Sequence, residues 1–232
     1  ALAAALVIGP RKGYGHENFT PHNLPMTLLG TGLLWFGWFG FNGGSALAAN
    51  ATATGAFVAT HLGGMAGMAV WVAVEWLHRG KPTTLGAASG AVSGLATITP
   101  AAGFVGPNAA VIIGSLAGAL CYLAVAMKAR LGYDDSLDVV GIHGLGGIIG
   151  TLAVGVFASR AVNPGGADGL VSGSLTLLGL QALGVLAVGG YVFGLSWVML
   201  TLIDRSMGLR IAPEAEDQGL DLSEHSETAY GA

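Results

Sequence analysis

The chain has 232 residues, of which 53% are hydrophobic and only 9% are charged, and its mean hydropathy is +0.66. Because soluble domains carry about 25% charged residues, this composition excludes an ordinary water-soluble globular protein and indicates a membrane protein. The formal net charge is −4, and nucleic acid is not expected as a partner. Cys121 is the single cysteine, so the chain can form no intrachain disulfide.

The first ten residues are almost wholly apolar but too few to span a bilayer. They begin without methionine, and the basic pair Arg11/Lys12 follows the apolar run, whereas a signal peptide has its basic region first. We therefore expect residues 1–10 to end an upstream helix and residues 11–23 to form a cytoplasmic loop. On this interpretation the chain is the carboxyl-terminal part of a longer polypeptide.

Six apolar segments follow within residues 24–210, and a spanning helix needs about 20 such residues. The third is the shortest and ends at a turn around Pro100. The pattern predicts an all-α, polytopic membrane helix bundle. The six predicted spans are Leu24–Ala49, Thr54–Leu77, Leu85–Thr99, Asn108–Met127, Asp138–Ser159 and Leu170–Ile203.

The basic residues support this count, because short cytoplasmic loops of membrane proteins carry an excess of lysine and arginine. Eight of the nine basic residues fall on one side of the six-span arrangement, and only Arg160 falls on the other. The charge pattern therefore predicts that the carboxyl tail is cytoplasmic. The eight are Arg11, Lys12, Arg79, Lys81, Lys128, Arg130, Arg205 and Arg210; the side they mark is called the basic side below.

Glycine pairs at four-residue spacing occur on every predicted span, and helices in lipid associate through such small residues. We expect a tightly packed bundle. The run GLGGIIG has Ile149 where a dinucleotide-binding fingerprint needs glycine, so it favours packing over nucleotide binding. The motifs are Gly40/Gly44, Gly63/Gly67, Gly86/Gly90/Gly94, Gly114/Gly118, Gly146/Gly150 and Gly190/Gly194.

The stretch VVGIHGLGGIIG places one imidazole, His143, among aliphatic residues and glycine. An ionisable side chain inside a bilayer is costly and indicates a functional pathway; the alternative is a neutral His143 hydrogen-bonded to a neighbouring helix. For His61 we favour packing, because its surroundings are less apolar. Asp138 is placed to cap the helix that carries His143. No two histidines have a metal-ligand spacing within one helix, so we expect neither a metal nor a cofactor.

The stretch LLWFGWFGFNGGSA places five aromatic residues within seven positions, followed by Asn42 and Ser45. Trp38, Phe41 and Ser45 share a helical face because they are three and four residues apart. Aromatic rings attract a cation, and a nearby hydroxyl can accept its N–H. The pattern predicts either a cation site or an interfacial aromatic belt.

Four segments resemble, in order, the hallmarks of the Amt/Mep/Rh ammonium transporter family, on the bacterial Amt side. They are WFGFNGGSA, LGAASGAVSGLATITPAAGFVGP, DDSLDVVGIHGLGGIIGTLAVGVFAS and MGLRIAPEAEDQGLDLSEHSETAYGA, so the similarity covers essentially the whole chain. The resemblance implies a homotrimer in the lipid of the inner (plasma) membrane. Each protomer would hold a pore between two inverted repeats of five helices, followed by a long final helix. This chain would supply the sixth to eleventh helices.

The resemblance also implies roles for individual residues. Ammonium would be recruited near Ser45, pass Phe41, lose a proton and move as ammonia past His143, which matches the second of two pore histidines. Phe41 matches one of two phenylalanines that close the outer mouth, and Trp38 matches an aromatic that lines the pore below. The first pore histidine, the second phenylalanine and a recruitment-site tryptophan would belong to the upstream half. Asp138 and Asn42 are expected to support the site.

The last segment, residues 211–232, has six acidic residues and no lysine or arginine, which by composition alone predicts a solvated acidic tail. The resemblance implies that the tail folds against the cytoplasmic face and acts in regulation with a PII signalling protein.

Two other functions stay open. One is an ammonium sensor that conducts little, and the other is a carrier for a different substrate, such as a proton-coupled transporter or an Rh-type gas channel. A moving carrier typically has prolines inside its spans, whereas here they lie at span ends. No nucleophile, base and orienting group occur together, so we do not expect an enzyme.

Overall fold

The computed structural model describes residues 1–17 and 19–228, and helices dominate these residues. No strand occurs among them, so the all-α prediction is confirmed. The helices are α1 (Leu2–Ile8), α2 (Leu24–Gly44), α3 (Ala51–Arg79), α4 (Thr84–Ile98), α5 (Pro107–Leu131), a π-helical turn (Val140–Gly144) that runs into α6 (Leu145–Phe157), a 3₁₀ turn (Leu170–Ser172), α7 (Thr176–Met207), α8 (Pro213–Gln218) and α9 (Leu220–His225).

Five helices in the described ranges are long and apolar enough to cross a membrane: α2, α3, α5, the continuous segment Val140–Phe157, and α7. The predicted third span corresponds to α4, which has only 15 residues. At 1.5 Å per residue it reaches about 22 Å, less than the ~30 Å of a bilayer core. The bounds of α4 lie within one residue of the predicted Leu85–Thr99, the shortest of the six segments, and the chain continues through turns before α5 begins.

Side-chain caps fix where three helices begin, because they accept N–H groups that the first helical turn leaves free. Asn23 accepts the N–H of Met26 at 2.9 Å, so α2 begins at the predicted Leu24. Asn50 caps α3 and Thr83 caps α4 in the same way. The predicted last span starts later than expected, because Gly173 (φ +93°) ends the preceding 3₁₀ turn.

Helices α3 to α6 pack backbone against backbone at their glycines. A methyl group on Gly94 or Gly114 would lie only 2.2 or 2.3 Å from the carbonyl oxygen of Gly63. A methyl group on Gly150 would lie 2.0 Å from the carbonyl oxygen of Thr97. Any larger side chain would push these helices apart, so the expected packing role of glycine is confirmed on these four helices.

The same expectation is wrong for α2 and α7 within this chain. A methyl group on Gly40, Gly44, Gly190 or Gly194 would meet none of the described residues within 4 Å. The described residues of α7 include none that is buried, and Asn42 is the only buried residue of α2. These two helices therefore present apolar faces outward, where lipid or further protein must cover them.

Replacing Gly114 by alanine tests the close packing. The added methyl group clashes with the backbone of α3, and overpacking of this kind costs about 1–3 kcal/mol. We expect a lower melting temperature in detergent, measured by fluorescence-detected unfolding. The control is Gly184→Ala in α7, where an added methyl group would meet no atom of residues 1–17 and 19–228 within 4 Å. Equal melting temperatures for the two variants would contradict the packing account.

Candidate functional site

Trp38 and Asn42 join α2 to the two helices behind it. The indole Nε1 of Trp38 donates to Thr99 Oγ1 at 2.7 Å, and the amide of Asn42 donates to Thr60 Oγ1 at 2.8 Å. Asn42 is buried, so this bond satisfies a group that would otherwise be costly to bury. Thr99 had no signal in the sequence, because a threonine at a helix end is ordinary.

Phe41 and Ser45 lie at the end of α2 away from the basic side. The Ser45 hydroxyl donates to the carbonyl oxygen of Phe41 at 2.7 Å, so its lone pairs are left to accept from an incoming N–H. The rings of Trp38 and Phe41 meet edge to face with centroids 6.1 Å apart, and Phe41 is 63% exposed. Beside Phe41 and Ser45 opens a cavity of about 490 Å³.

His143 lies within the π-helical turn in front of α6. The N–H of Leu145 donates to the carbonyl of Val140, five residues back, which is the π-helical spacing. The imidazole is exposed and hydrogen-bonds to no other residue within 1–17 and 19–228. The alternative of a histidine satisfied by a neighbouring helix is therefore not seen in this chain.

Asp138 does not cap the helix that carries His143, which corrects the expectation from sequence. The carboxylate of Asp135 accepts the N–H of Val140 at 2.6 Å instead. Asp138 has a left-handed backbone (φ +57°), and its carboxylate forms an ion pair with Lys128 at 2.5 Å. The loop between α5 and the π-helical turn thus folds back on α5, a long-range contact that spacing along the chain does not reveal.

The imidazole lies beside the first turns of α2, and the aromatic pair lies further along the same helix. Thr27 and Thr31 of α2 line a cleft of about 820 Å³ together with His143. Trp38 lies seven residues beyond Thr31, about 10 Å further along the helix axis. This site strip, defined as His143, Trp38, Phe41 and Ser45, runs from the basic side to the opposite end of the bundle.

His61 lies apart from the site strip. Its ring centroid is 5.7 Å from those of both Trp35 and Phe39, so the imidazole packs against two aromatic side chains of α2. Phe39 also stacks on Phe57 of α3 with centroids 4.1 Å apart. This aromatic group joins α2 to α3 on the outward face.

On the basic side, Arg11 holds the loop that follows α5. Its guanidinium binds both carboxylate oxygens of Asp134 at 2.7 and 2.8 Å, and its backbone N–H donates to the same group. These hydrogen bonds, chiefly the side-chain pair, lower the pKa of Asp134 from its ordinary value. Asp134 is adjacent to Asp135, so this contact also positions the residue that caps the π-helical turn.

The described residues form a polytopic membrane protein, with five helices long and apolar enough to cross a bilayer. The profile described as the Ammonium Transporter Family matches residues 1–230, and the chain belongs to this family. The resemblance noted from the sequence is confirmed. Because the family consists of transporters, the expectation that the chain is not an enzyme is confirmed as well.

Relatives and solved structures agree. The ammonium transporter Amt1 of Archaeoglobus fulgidus is 46% identical over 230 residues, which cover 99% of this chain and 58% of that protein. The crystal structure of Saccharomyces cerevisiae Mep2 superposes with a TM-score of 0.86 at 36% identity, covering 92% of this chain and 50% of that one. A structure described as a sensor Amt protein superposes with a TM-score of 0.84 at 31% identity, covering 96% of this chain and 56% of that one. The chain spans about half the length of the curated relatives it matches.

The Arg11–Asp134 contact predicts an acid-sensitive loop. A carboxyl group whose pKa is lowered by folding stabilises the folded state above its unfolded pKa of about 3.9, and this stability is lost as the pH falls through the folded pKa. We expect Asp134→Asn to be less stable than the unaltered protein at pH 7 and to lose less stability between pH 5 and pH 2. Melting temperatures measured across this range check the prediction; parallel curves for the two proteins would contradict it.

Proposed function

We propose that the protein carries ammonium nitrogen across the membrane by binding the ammonium cation beside Ser45 and passing neutral ammonia along the site strip. The observation that carries the proposal is the order of groups on that strip. A hydroxyl whose oxygen is left to accept and a pair of aromatic rings lie at one end, and a free imidazole lies at the other.

This order suits ammonium better than potassium. Both ions carry one charge and have similar sizes, so a site that used charge alone would bind both. Ammonium also donates hydrogen bonds, which Ser45 can accept, and its charge is attracted by the rings of Trp38 and Phe41. Ammonium can then lose a proton and cross the apolar segment as a neutral molecule, whereas potassium would have to be desolvated with its charge.

His143 supplies hydrogen bonds in the apolar part of this path. A neutral imidazole has one donor and one acceptor nitrogen, so it can either donate a hydrogen bond to ammonia or accept one from it. It can also take part in moving a proton. We place its partner histidine, the second phenylalanine and the recruitment-site tryptophan outside this chain, as the family resemblance implies. A companion repeat and a homotrimer would cover the apolar faces that α2 and α7 leave exposed.

The basic side faces the cytoplasm in this proposal, so the protein lies in the inner (plasma) membrane with its carboxyl end inside. The tail helix α8 comes back to this side. Glu216 accepts from the backbone N–H of Lys12 and from Arg210, both at 2.7 Å, and Asp217 pairs with Lys12. These contacts, first the one from Lys12, lower the pKa of Glu216. They support a regulatory tail; its last residues, 229–232, lie outside the described residues.

An ammonium sensor that conducts little is the second candidate, because one structural neighbour is described as a sensor Amt protein. A sensor would use the same Ser45 end of the site strip for binding. The two functions differ in flux: a sensor binds ammonium without moving it at a comparable rate.

Two substitutions test the transport path in proteoliposomes that contain the protein carrying this chain. Ser45→Ala removes a hydrogen bond to the cation, worth about 1–2 kcal/mol, and should raise the half-saturating ammonium concentration by about fivefold or more. His143→Ala should lower the maximal uptake and the selectivity for ammonium over potassium. Uptake of ammonium and the potassium current are measured on the same preparations.

Matched controls are Ser206→Ala, which removes a hydroxyl bonded only to its own helix, and His61→Ala, which removes the imidazole outside the site strip. Both should retain the transport of the unaltered protein. Unchanged uptake and unchanged selectivity in His143→Ala would contradict the proposed path. Tight ammonium binding without flux in the unaltered protein would favour the sensor.

The acidic tail predicts a partner at the basic side. A trimeric PII signalling protein should co-purify with the full protein under at least one nucleotide condition. Removing residues 211–232 should reduce the amount recovered, because the tail forms part of this surface. Failure to co-purify with ATP, ADP or no nucleotide would contradict the prediction.

A further inference from the structure

Lys128, in the last turn of α5, binds both ends of a tight loop. Its ammonium group donates to the backbone carbonyl of Asp135 at 2.7 Å and to the carboxylate of Asp138 at 2.5 Å. The carboxylate of Asp135 in turn caps the N–H of Val140, where the π-helical turn begins. One side chain of α5 therefore holds the two residues that set the start of the helix bearing His143.

The start of the π-helical turn decides where the imidazole points. A π-helical turn contains one residue more than an α-helical turn. Because each residue corresponds to about 100° of rotation, the extra residue rotates the side chains before the turn by about 100° relative to the side chains after it. Gly141 fits against Val125 of α5, because a methyl group there would lie 2.8 Å from the Val125 side chain. Gly150 fits against Thr97 of α4 in the same helix. The extra residue lies between these two contacts, and so does His143.

Packing at Gly141 and Gly150 fixes the two ends of this segment but leaves the first turn dependent on its cap. Helix termini fray when their free N–H groups have no partner. Here the cap is Asp135, and Lys128 keeps Asp135 and Asp138 in place by bonds to a carbonyl and a carboxylate. Asp138 has a left-handed backbone (φ +57°), a conformation that aspartate adopts more readily than most residues other than glycine.

We propose that Lys128 is a positioning residue for His143: by clamping the 135–138 loop it holds the π-helical turn in the register that directs the imidazole into the site strip. The proposal rests on the proposed function for its consequence in transport, but its structural claim stands on the geometry alone. An ion pair that is partly withdrawn from water contributes little net stability, and in this proposal the Lys128–Asp138 pair acts by fixing one loop geometry. The side chains of Lys128 and Asp138 are 18% and 28% exposed, and within residues 1–17 and 19–228 neither forms a hydrogen bond with His143.

Nearby Arg130 offers a matched control. It lies two residues beyond Lys128 in the last turn of the same helix and is exposed. Within residues 1–17 and 19–228 it forms no ion pair or hydrogen bond. Arg130→Met therefore removes the same unit of positive charge from the same side of the membrane without disturbing the loop.

The test compares Lys128→Met, Lys128→Arg and Arg130→Met in the full protein. The imidazole of His143 is followed by NMR on protein with ¹⁵N-labelled histidine, its signal being the one that disappears in His143→Gln. We expect Lys128→Met to shift this signal and to lower ammonium uptake about tenfold. A loss of this size is expected when a functional group moves by about 1 Å or less. Lys128→Arg keeps the positive charge and should retain both the His143 signal and the ammonium uptake of the unaltered protein. Arg130→Met should change neither the signal nor the uptake.

An unchanged His143 signal in Lys128→Met, or the same change in Arg130→Met, would overturn the proposal. If Lys128→Met does not fold, Asp138→Asn removes the ion pair while keeping the side-chain shape and carries the same expectation. The two proposals fail separately. If the His143 signal does not change in Lys128→Met, the positioning role is overturned. If that signal does change but the unaltered protein shows no ammonium flux, only the proposed transport is overturned.

Discussion

The contact of Gly94 and Gly114 with the carbonyl of Gly63 is the constraint on which the rest of the structure depends. It brings the backbones of α3, α4 and α5 together, so the end of α4 has a fixed position in the bundle. Two residues near that end then hold the neighbouring helices. The carbonyl of Thr97 contacts α6 at Gly150, and the hydroxyl of Thr99 accepts from Trp38 of α2. Contacts with the end of α4 therefore position both the helix that follows His143 and the aromatic part of the site strip on α2.

The polar groups of this apolar bundle differ in whether their hydrogen-bonding capacity is used. Between helices, Asn42 bonds Thr60 and Trp38 bonds Thr99, whereas the buried Nε1 of Trp71 and Oγ1 of Thr97 have no partner among the described residues. The polar groups of the site strip keep unused hydrogen-bonding capacity. The Ser45 oxygen can still accept a hydrogen bond, and the His143 imidazole forms no hydrogen bond with the described residues. In a membrane such unused capacity is costly unless a solute or another polypeptide meets it, which is the physical reason for assigning function to these residues.

Much of the site could be predicted from sequence because its geometry is local. Trp38, Phe41 and Ser45 share a face at regular helical spacing, and α2 is a regular helix over that stretch. The cap at Asp135 could not be predicted, since Asp138 stands nearer the helix start but its carboxylate folds back onto Lys128, ten residues earlier. The glycine pattern had a similar limit: it marks a small surface, but the same pattern is packed on α3 and open on α7.

Flux of ammonium through the full protein in proteoliposomes, with potassium in hundredfold excess, tests the central claim most directly. The account predicts saturable uptake that potassium neither reduces nor accompanies, because only ammonium can be bound by hydrogen bonds and then deprotonated before the apolar segment. Uptake that potassium abolishes, or a potassium current equal to the ammonium flux, would contradict it.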